Sequence, residues 1–240
     1  KKGIHLNPSE VNKSEFHDTN FLKLASEALN YQNLIELDLF TDAVSKRMND
    51  RSFIEELLGY LQLGIKEKKR SVELIYSEED ITDQEYTILN QKFQKIIDII
   101  YEVQKVKPIK TTRYKQKNDF YTLFNFVNDN IEYPINLFQE QYNILIFIDG
   151  KDSEGRQHIR PTNDDCEAFK NYALNCVSQS NSKTARDKRL EFFNAILKNE
   201  NSSSNEILTD ILNYYDEEVG LSLSFKSVEG FDLIDVNNHL

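Results

Sequence analysis

Tryptophan is absent from this sequence, and turn-forming residues are scarce: seven glycines and four prolines in 240 residues. So few breakers count against a turn-rich β architecture and favour long helices. Cysteine is nearly absent as well. Cys166 and Cys176 are the whole complement. They stand ten apart on one predicted helix, too far along it to bridge. That excludes a disulfide scaffold and fits reduced thiols in a cytoplasmic protein. No apolar run reaches the ~18 residues that a membrane span needs. No signal peptide is visible, and the chain does not begin with methionine, so the true N-terminus is expected upstream of Lys1. An excess of positive charge is missing too. The formal net charge is −11, which argues against nucleic-acid binding by the field of the whole chain and leaves only local basic patches.

Chemistry-bearing motifs are equally thin. The sequence has no Walker-type glycine loop, no Gly-x-Ser-x-Gly elbow and no paired-cysteine zinc site. His5, His17 and His239 make no metal spacing. Its many carboxylates form no convincing acid/base pair. No catalytic residue is therefore assigned, and neither a metal nor a cofactor is expected in this segment.

What is present is helical periodicity. In the stretch 41–76, Phe53, Ile54, Leu57, Leu58 and Leu61 recur at helical spacing and make one wide apolar face. Asp50 is expected to cap that helix, and Gly64 to end it. Gly59 inside it costs ~1 kcal/mol against alanine, which points to a close helix crossing. A second helix carries Val72, Ile75 and Tyr76 inward. Upstream, Asn7, Pro8 and Glu10 form a start signal for a helix from Pro8 to about Phe16. Asp18 or Thr19 caps the next, with Phe21, Leu22, Ala25 and Leu29 inward. One or two more helices are expected over 32–48. Thr82-Asp83-Gln84-Glu85 caps the longest helix, whose stripe runs from Tyr86 through Leu89, Phe93, Ile96, Ile97 and Ile100 to Val103. Asn118 or Asp119 starts another, with Phe120, Tyr121, Phe124 and Val127 as its stripe.

Residues 136–149 read as a helix, although Ile144–Ile148 alone would suit a buried strand. A polar loop follows over 151–163, then helices over 164–178, 183–198 and 204–216. Leu221, Leu223 and Phe225 alternate with serines, and Phe231, Leu233 and Val236 repeat the pattern after Glu229-Gly230. A short β-hairpin and an extended tail both fit. The fold expected is mainly α: a bundle of nine or ten helices over residues 1–216, with 217–240 as a C-terminal extension or hairpin.

Three constellations could carry function. Lys110–Tyr121 places Arg113, Lys115 and Lys117 beside Tyr114 just before a helix start, an arrangement suited to phosphate or nucleic acid. The plainer alternative is a solvated loop whose Arg113 bonds carboxylates within the domain. A second cluster holds Lys183, Arg186, Lys188 and Arg189, with Arg186 and Arg189 sharing a face; a solvated helix face is its alternative. Lys66, Lys68, Lys69 and Arg70 read as a surface run balancing nearby glutamates. Finally, Gln157-His158-Ile159-Arg160-Pro161 is similar to the Asp-His-Ile-x-Pro start of a ββα-metal nuclease, where the histidine activates water beside a metal. Here glutamine replaces the acid, and no further histidine follows until His239.

Gly3-Ile4-His5-Leu6-Asn7-Pro8-Ser9-Glu10-Val11 resembles the segment after the Phe-x-x-Ile-Asn strand of GmrSD-type proteins, modification-dependent restriction and phage-defence proteins with a ParB/sulfiredoxin-like first domain. Arg47-Met48-Asn49-Asp50 with Phe53 looks like that domain's Arg-Met-x-Asp-x-x-Phe helix start. Gly64-Ile65-x-x-Lys68-Lys69, Thr112-Arg113-Tyr114-Lys115 leading to Asp119-Phe120-Tyr121, and Arg186 and Arg189 before Leu190 follow in the family's order. The resemblance covers about residues 1–198.

The resemblance implies the helical second half of that domain. The Asp-Gly-Gln-Gln-Arg motif tied to nucleotide hydrolysis lies upstream of the matched part and is missing, so hydrolysis transfers to no residue of this chain. Any nucleotide belongs to the upstream half. The implied function is a binding and regulatory module coupling that half to DNA or to an effector. Its expected partners are the upstream half, DNA and a second copy of the chain, with no membrane. A metal nuclease centred on His158 and a helical protein–protein scaffold are the alternatives.

Overall fold

The computed structural model describes residues 11, 14–16, 18–41, 45, 48–77, 80–198 and 205–239. The expected opening helix with Asn7, Pro8 and Glu10 falls mostly outside the described residues. His5, His17, Arg47 and the side chains of Lys69 and Val72 lie outside them as well. Among the described residues the chain is mainly helical, with ten α-helices and one short antiparallel sheet near the C-terminus. No described helix is long and apolar enough to cross a membrane. The chain divides into two compact units, Lys1–Tyr101 and Glu102–Leu240.

In the first unit, α1 (Asn20–Ala28) starts where Thr19 Oγ1 accepts the Leu22 N–H at 3.3 Å. The Asp80 carboxylate also accepts the N–H groups of Asn20 and Phe21, placing a negative charge on orphan donors at the positive end of the helix. The short α2 (Gln32–Glu36) is tied by Asn33 Nδ2 and the preceding Tyr31 hydroxyl to the Asp98 carboxylate.

Helix α3 (Asn49–Leu63) buries Phe53, Ile54, Leu57 and Leu58 completely or nearly so. Leu61 stays half-buried. Gly64 ends α3 with φ +71°, its N–H on the Tyr60 carbonyl. The expected cap at Asp50 does not form. Met48 turns the chain in the left-handed region, the helix begins at Asn49, and the Asp50 carboxylate accepts from the N–H of Arg51 at 2.7 Å.

Helix α4 (Lys68–Ser77) crosses α3 closely at Gly59, where an added Cβ would lie 2.8 Å from Ile75 Cδ1. Lys68 reaches back to Glu56 at 2.7 Å. Helix α5 (Asp83–Val103) is the longest described and opens with the expected capping box. Thr82 Oγ1 accepts from Glu85 N–H, and Glu85 Oε2 accepts from Thr82 N–H. Phe93, Ile96, Ile97 and Ile100 of its stripe are wholly buried.

The second unit begins with two 3₁₀ turns, Ile109–Thr111 and Arg113–Lys115. Five helices follow: α6 (Lys117–Asp129), α7 (Ile135–Ile148), α8 (Glu167–Val177), α9 (Lys183–Leu197) and α10 (Glu206–Tyr214). Residues 136–148 are thus helix rather than strand, with Asp149 as the C-cap. Helix α9 lies against α6, α8 and α10, and its Phe192 and Phe193 are buried with Tyr172 of α8 against them. A π-helical turn, Tyr215–Val219, prolongs α10 and ends at Gly220 with φ +71°. Strands β1 (Phe225–Val228) and β2 (Phe231–Ile234) then pair, with Phe225 opposite Ile234 and Val228 opposite Phe231. Their two-residue turn has positive φ at both Glu229 and Gly230, the geometry whose twist matches that of a hairpin. Leu233, Ile234 and Val236 are buried, and β2 meets α7 and α9.

Candidate functional site

Arg113 is the hinge of the expected phosphate loop, and its side chain turns inward. Thr112 caps the second 3₁₀ turn through Oγ1, which accepts from Tyr114 N–H at 3.2 Å. That turn directs Arg113 Nε onto Asp119 Oδ1 at 2.9 Å and Nη1 onto the Ile159 carbonyl at 3.2 Å. Its backbone N–H donates to Asp149 Oδ2. The guanidinium lies 5.1 Å from the centre of the Tyr172 ring, and the Tyr172 hydroxyl donates to the same Asp119 oxygen at 2.8 Å. Asp119 was expected at a helix start. It stands instead in the first turn of α6, 1% exposed, with its carboxylate spent on side chains. Burial is the largest single effect on Arg113 and works against its charge, but the Asp119 carboxylate together with Tyr172, Tyr114 and Cys176 outweighs it, so the arginine's pKa is raised.

The remaining residues of the expected site divide in two. Tyr114 is fully buried, with its hydroxyl on the Leu145 carbonyl, so it presents no ring face to solvent. Arg186 and Arg189 are 3% and 1% exposed rather than on a solvated face. The Arg186 guanidinium sits 4.2 Å over the Tyr121 ring. Arg189 Nε donates to Thr122 Oγ1, and Nη1 donates to the carbonyls of Asn175 and Ser180. It thereby satisfies acceptors in and beyond the last turn of α8. Lys115 and Lys117 are exposed. On α9, Lys183 and Lys188 are exposed and pair with Asp187 and Glu191. The structure therefore brings Arg113, Asp119, Tyr172 and Cys176 into one polar core, with Arg189 alongside, and leaves the lysines outside it. Burial, then the Asp119 carboxylate, pushes the Cys176 thiol up to about 12. Burial does the same for Cys166.

His158 is 4% exposed. Its Nδ1 is 2.8 Å from the Tyr214 hydroxyl, its N–H donates to the Gly150 carbonyl, and its carbonyl accepts from Asn163 Nδ2. Rings of Phe169, Tyr214 and Tyr215 surround it. Burial lowers its pKa. Among the described residues no group of three or more histidine, cysteine, aspartate or glutamate side chains is placed to hold a metal ion.

His158 also lines a cleft of about 560 Å³, walled by the end of α7, the following loop and the π turn. Motif reading did not find this cleft. Its residues are scattered from Val106 to His239, with no common spacing to signal them. The chain matches no family model, no curated protein and no solved structure.

Proposed function

We propose that this chain is a helical binding and regulatory module of the GmrSD-like kind, coupling a nucleotide-binding half to an effector or to DNA, and that it acts by contact rather than by chemistry at His158. One observation carries the reading. Of the residues that make up the family-like motifs of the second unit, Tyr114, Asp119, Tyr121, Arg186 and Arg189 are buried, and Arg113 is half-buried with its guanidinium on Asp119. Motifs of this sort specify a core on which a surface is displayed. They leave Lys110, Lys115 and Lys117 as exposed cations of the loop, on a chain of net charge −11. An effector protein therefore suits the module better than duplex DNA. The nuclease reading is weaker, because His158 is held by Tyr214 in an aromatic pocket.

Fluorescence anisotropy with a labelled DNA duplex, from low to physiological salt, tests this. The expected result is weak binding at most, its salt slope falling by about one on Lys115→Ala or Lys117→Ala. Tight, sequence-selective binding would move the reading to a DNA sensor. Cleavage of DNA with a divalent metal, abolished by His158→Ala, would replace it with a nuclease.

A further inference from the structure

We propose that the cleft at the end of α7 is a binding site for a small planar aromatic anion. Its volume of about 560 Å³ lies within the range of small-molecule sites. The wall is an aromatic platform: Phe147 stacks on Tyr215 with ring centres 4.8 Å apart at 27°, and the His239 ring lies 5.9 Å from Phe147. Charge on the cleft is of one sign. Lys107 and Lys151 line it, and among the described residues no aspartate or glutamate does. The carboxylates of the adjoining loop are already engaged, Asp149 with the Arg113 N–H and Asp152 with Arg156 and Arg160. On a chain of net charge −11 such a cationic recess favours an anion over a neutral ligand.

The second indication is the Tyr215 hydroxyl. Tyr215 is a wall residue, 1% exposed, and its buried hydroxyl has no hydrogen-bond partner among the described residues. Buried hydroxyls are ordinarily satisfied, so a shift of the wall that opened this orphan to the cleft would let a ligand's polar group complete it. His158 adds a ring edge to the same wall, its Nδ1 already taken by Tyr214. An aromatic body would slide against Phe147, which Tyr215 backs, with its carboxylate, sulfonate or phosphate between the two lysines. The site stands apart from the contact function proposed above, and neither depends on the other.

The probe is 8-anilino-1-naphthalenesulfonate, followed by its fluorescence on the full chain. Competitors are 2-naphthoate, adenosine 5′-monophosphate and the neutral 2-naphthalenemethanol. Saturable one-to-one binding is expected, with displacement by an anion and about tenfold weaker displacement by the alcohol. Displacement by naphthoate alone assigns aromatic acids, and by the nucleotide assigns nucleoside phosphates. Lys107→Gln with Lys151→Gln, both exposed and so not expected to disturb folding, should weaken the anion about tenfold and leave the melting temperature of the free chain unchanged. Unsaturable binding, equal displacement by the alcohol, or an unaltered affinity in the double variant overturns the proposal.

Discussion

A largely buried arginine answers for much of the second unit's polar core. Arg113 and Asp119 are 15% and 2% exposed in their side chains, so removing one leaves the other charged and desolvated. Arg113→Ala should lower unfolding stability by about 3–5 kcal/mol, read as a drop in the urea midpoint. Arg113→Lys should recover little, because one ammonium cannot hold Asp119 and the Ile159 carbonyl together while stacking on Tyr172. Midpoints of both variants equal to the parent's would show that the pair contributes nothing.

His158 makes a second prediction at this scale. Burial depresses its folded pKa below the ordinary 6.5, so the unfolded chain takes up the proton first as pH falls. Stability from the neutral ring is complete above pH ~6.5 and is lost as pH drops from there through the depressed folded value, by up to about 1.4 kcal/mol per pH unit. Urea midpoints at pH 7.5 and pH 5 should therefore diverge more for the parent chain than for His158→Gln. Parallel pH dependence would count against a buried neutral histidine.

Helix α3 carries its prediction at the level of the element. Gly59 faces Ile75 Cδ1, the far end of a flexible side chain. Alanine there asks only for a rotamer change at Ile75, and it gains ~1 kcal/mol of helix propensity. Gly59→Ala should thus be near neutral. Gly59→Leu should destabilise by about 1–3 kcal/mol through overpacking against α4. A leucine variant as stable as the parent would mean that the two helices are not in close contact.

The C-terminal hairpin turns at Glu229, a residue ill suited to φ +52°. Glu229→Asn should raise the melting temperature by a few degrees, despite losing the exposed bond from Asn136 to Glu229. An unchanged or lower value would indicate that the strands, not the turn, set the register.

Across the whole molecule, charge imbalance is the dominant global property. A net charge of −11 repels itself in the compact state, and salt screens that repulsion over a Debye length of roughly 30 Å at 0.01 M and 8 Å at 0.15 M. Melting temperature should rise by a few degrees between those salt concentrations in calorimetry. A fall would mean that attractive surface pairs, such as Lys183 with Asp187, outweigh the net repulsion. Two compact units in one chain also explain why one continuous helical pattern concealed their division. The longest described helix, Asp83–Val103, runs through the point where it falls, so no loop or linker marks it.

Helices and turns were legible because their signals act within about four residues. The Thr82/Glu85 box, the Gly64 stop and the stripe of α5 formed as read, and the Glu229-Gly230 turn took the hairpin, one of the two readings open to it. Asp50 failed as a cap because the left-handed turn at Met48 starts the helix one residue before it; Asp119 failed for a reason sequence cannot show. The same carboxylate that caps a helix can pair with an arginine, and which it does depends on what is brought near. Asp119 meets Tyr172, 53 positions on, and Arg113 meets the carbonyl of Ile159, 46 positions on. Whether a cation faces water or a buried carboxylate is decided by those distant neighbours. Sequence by itself therefore determined where this chain is helical; tertiary structure alone decided that its motif arginines are core, and that the aromatic recess lies beneath lysines no motif had joined.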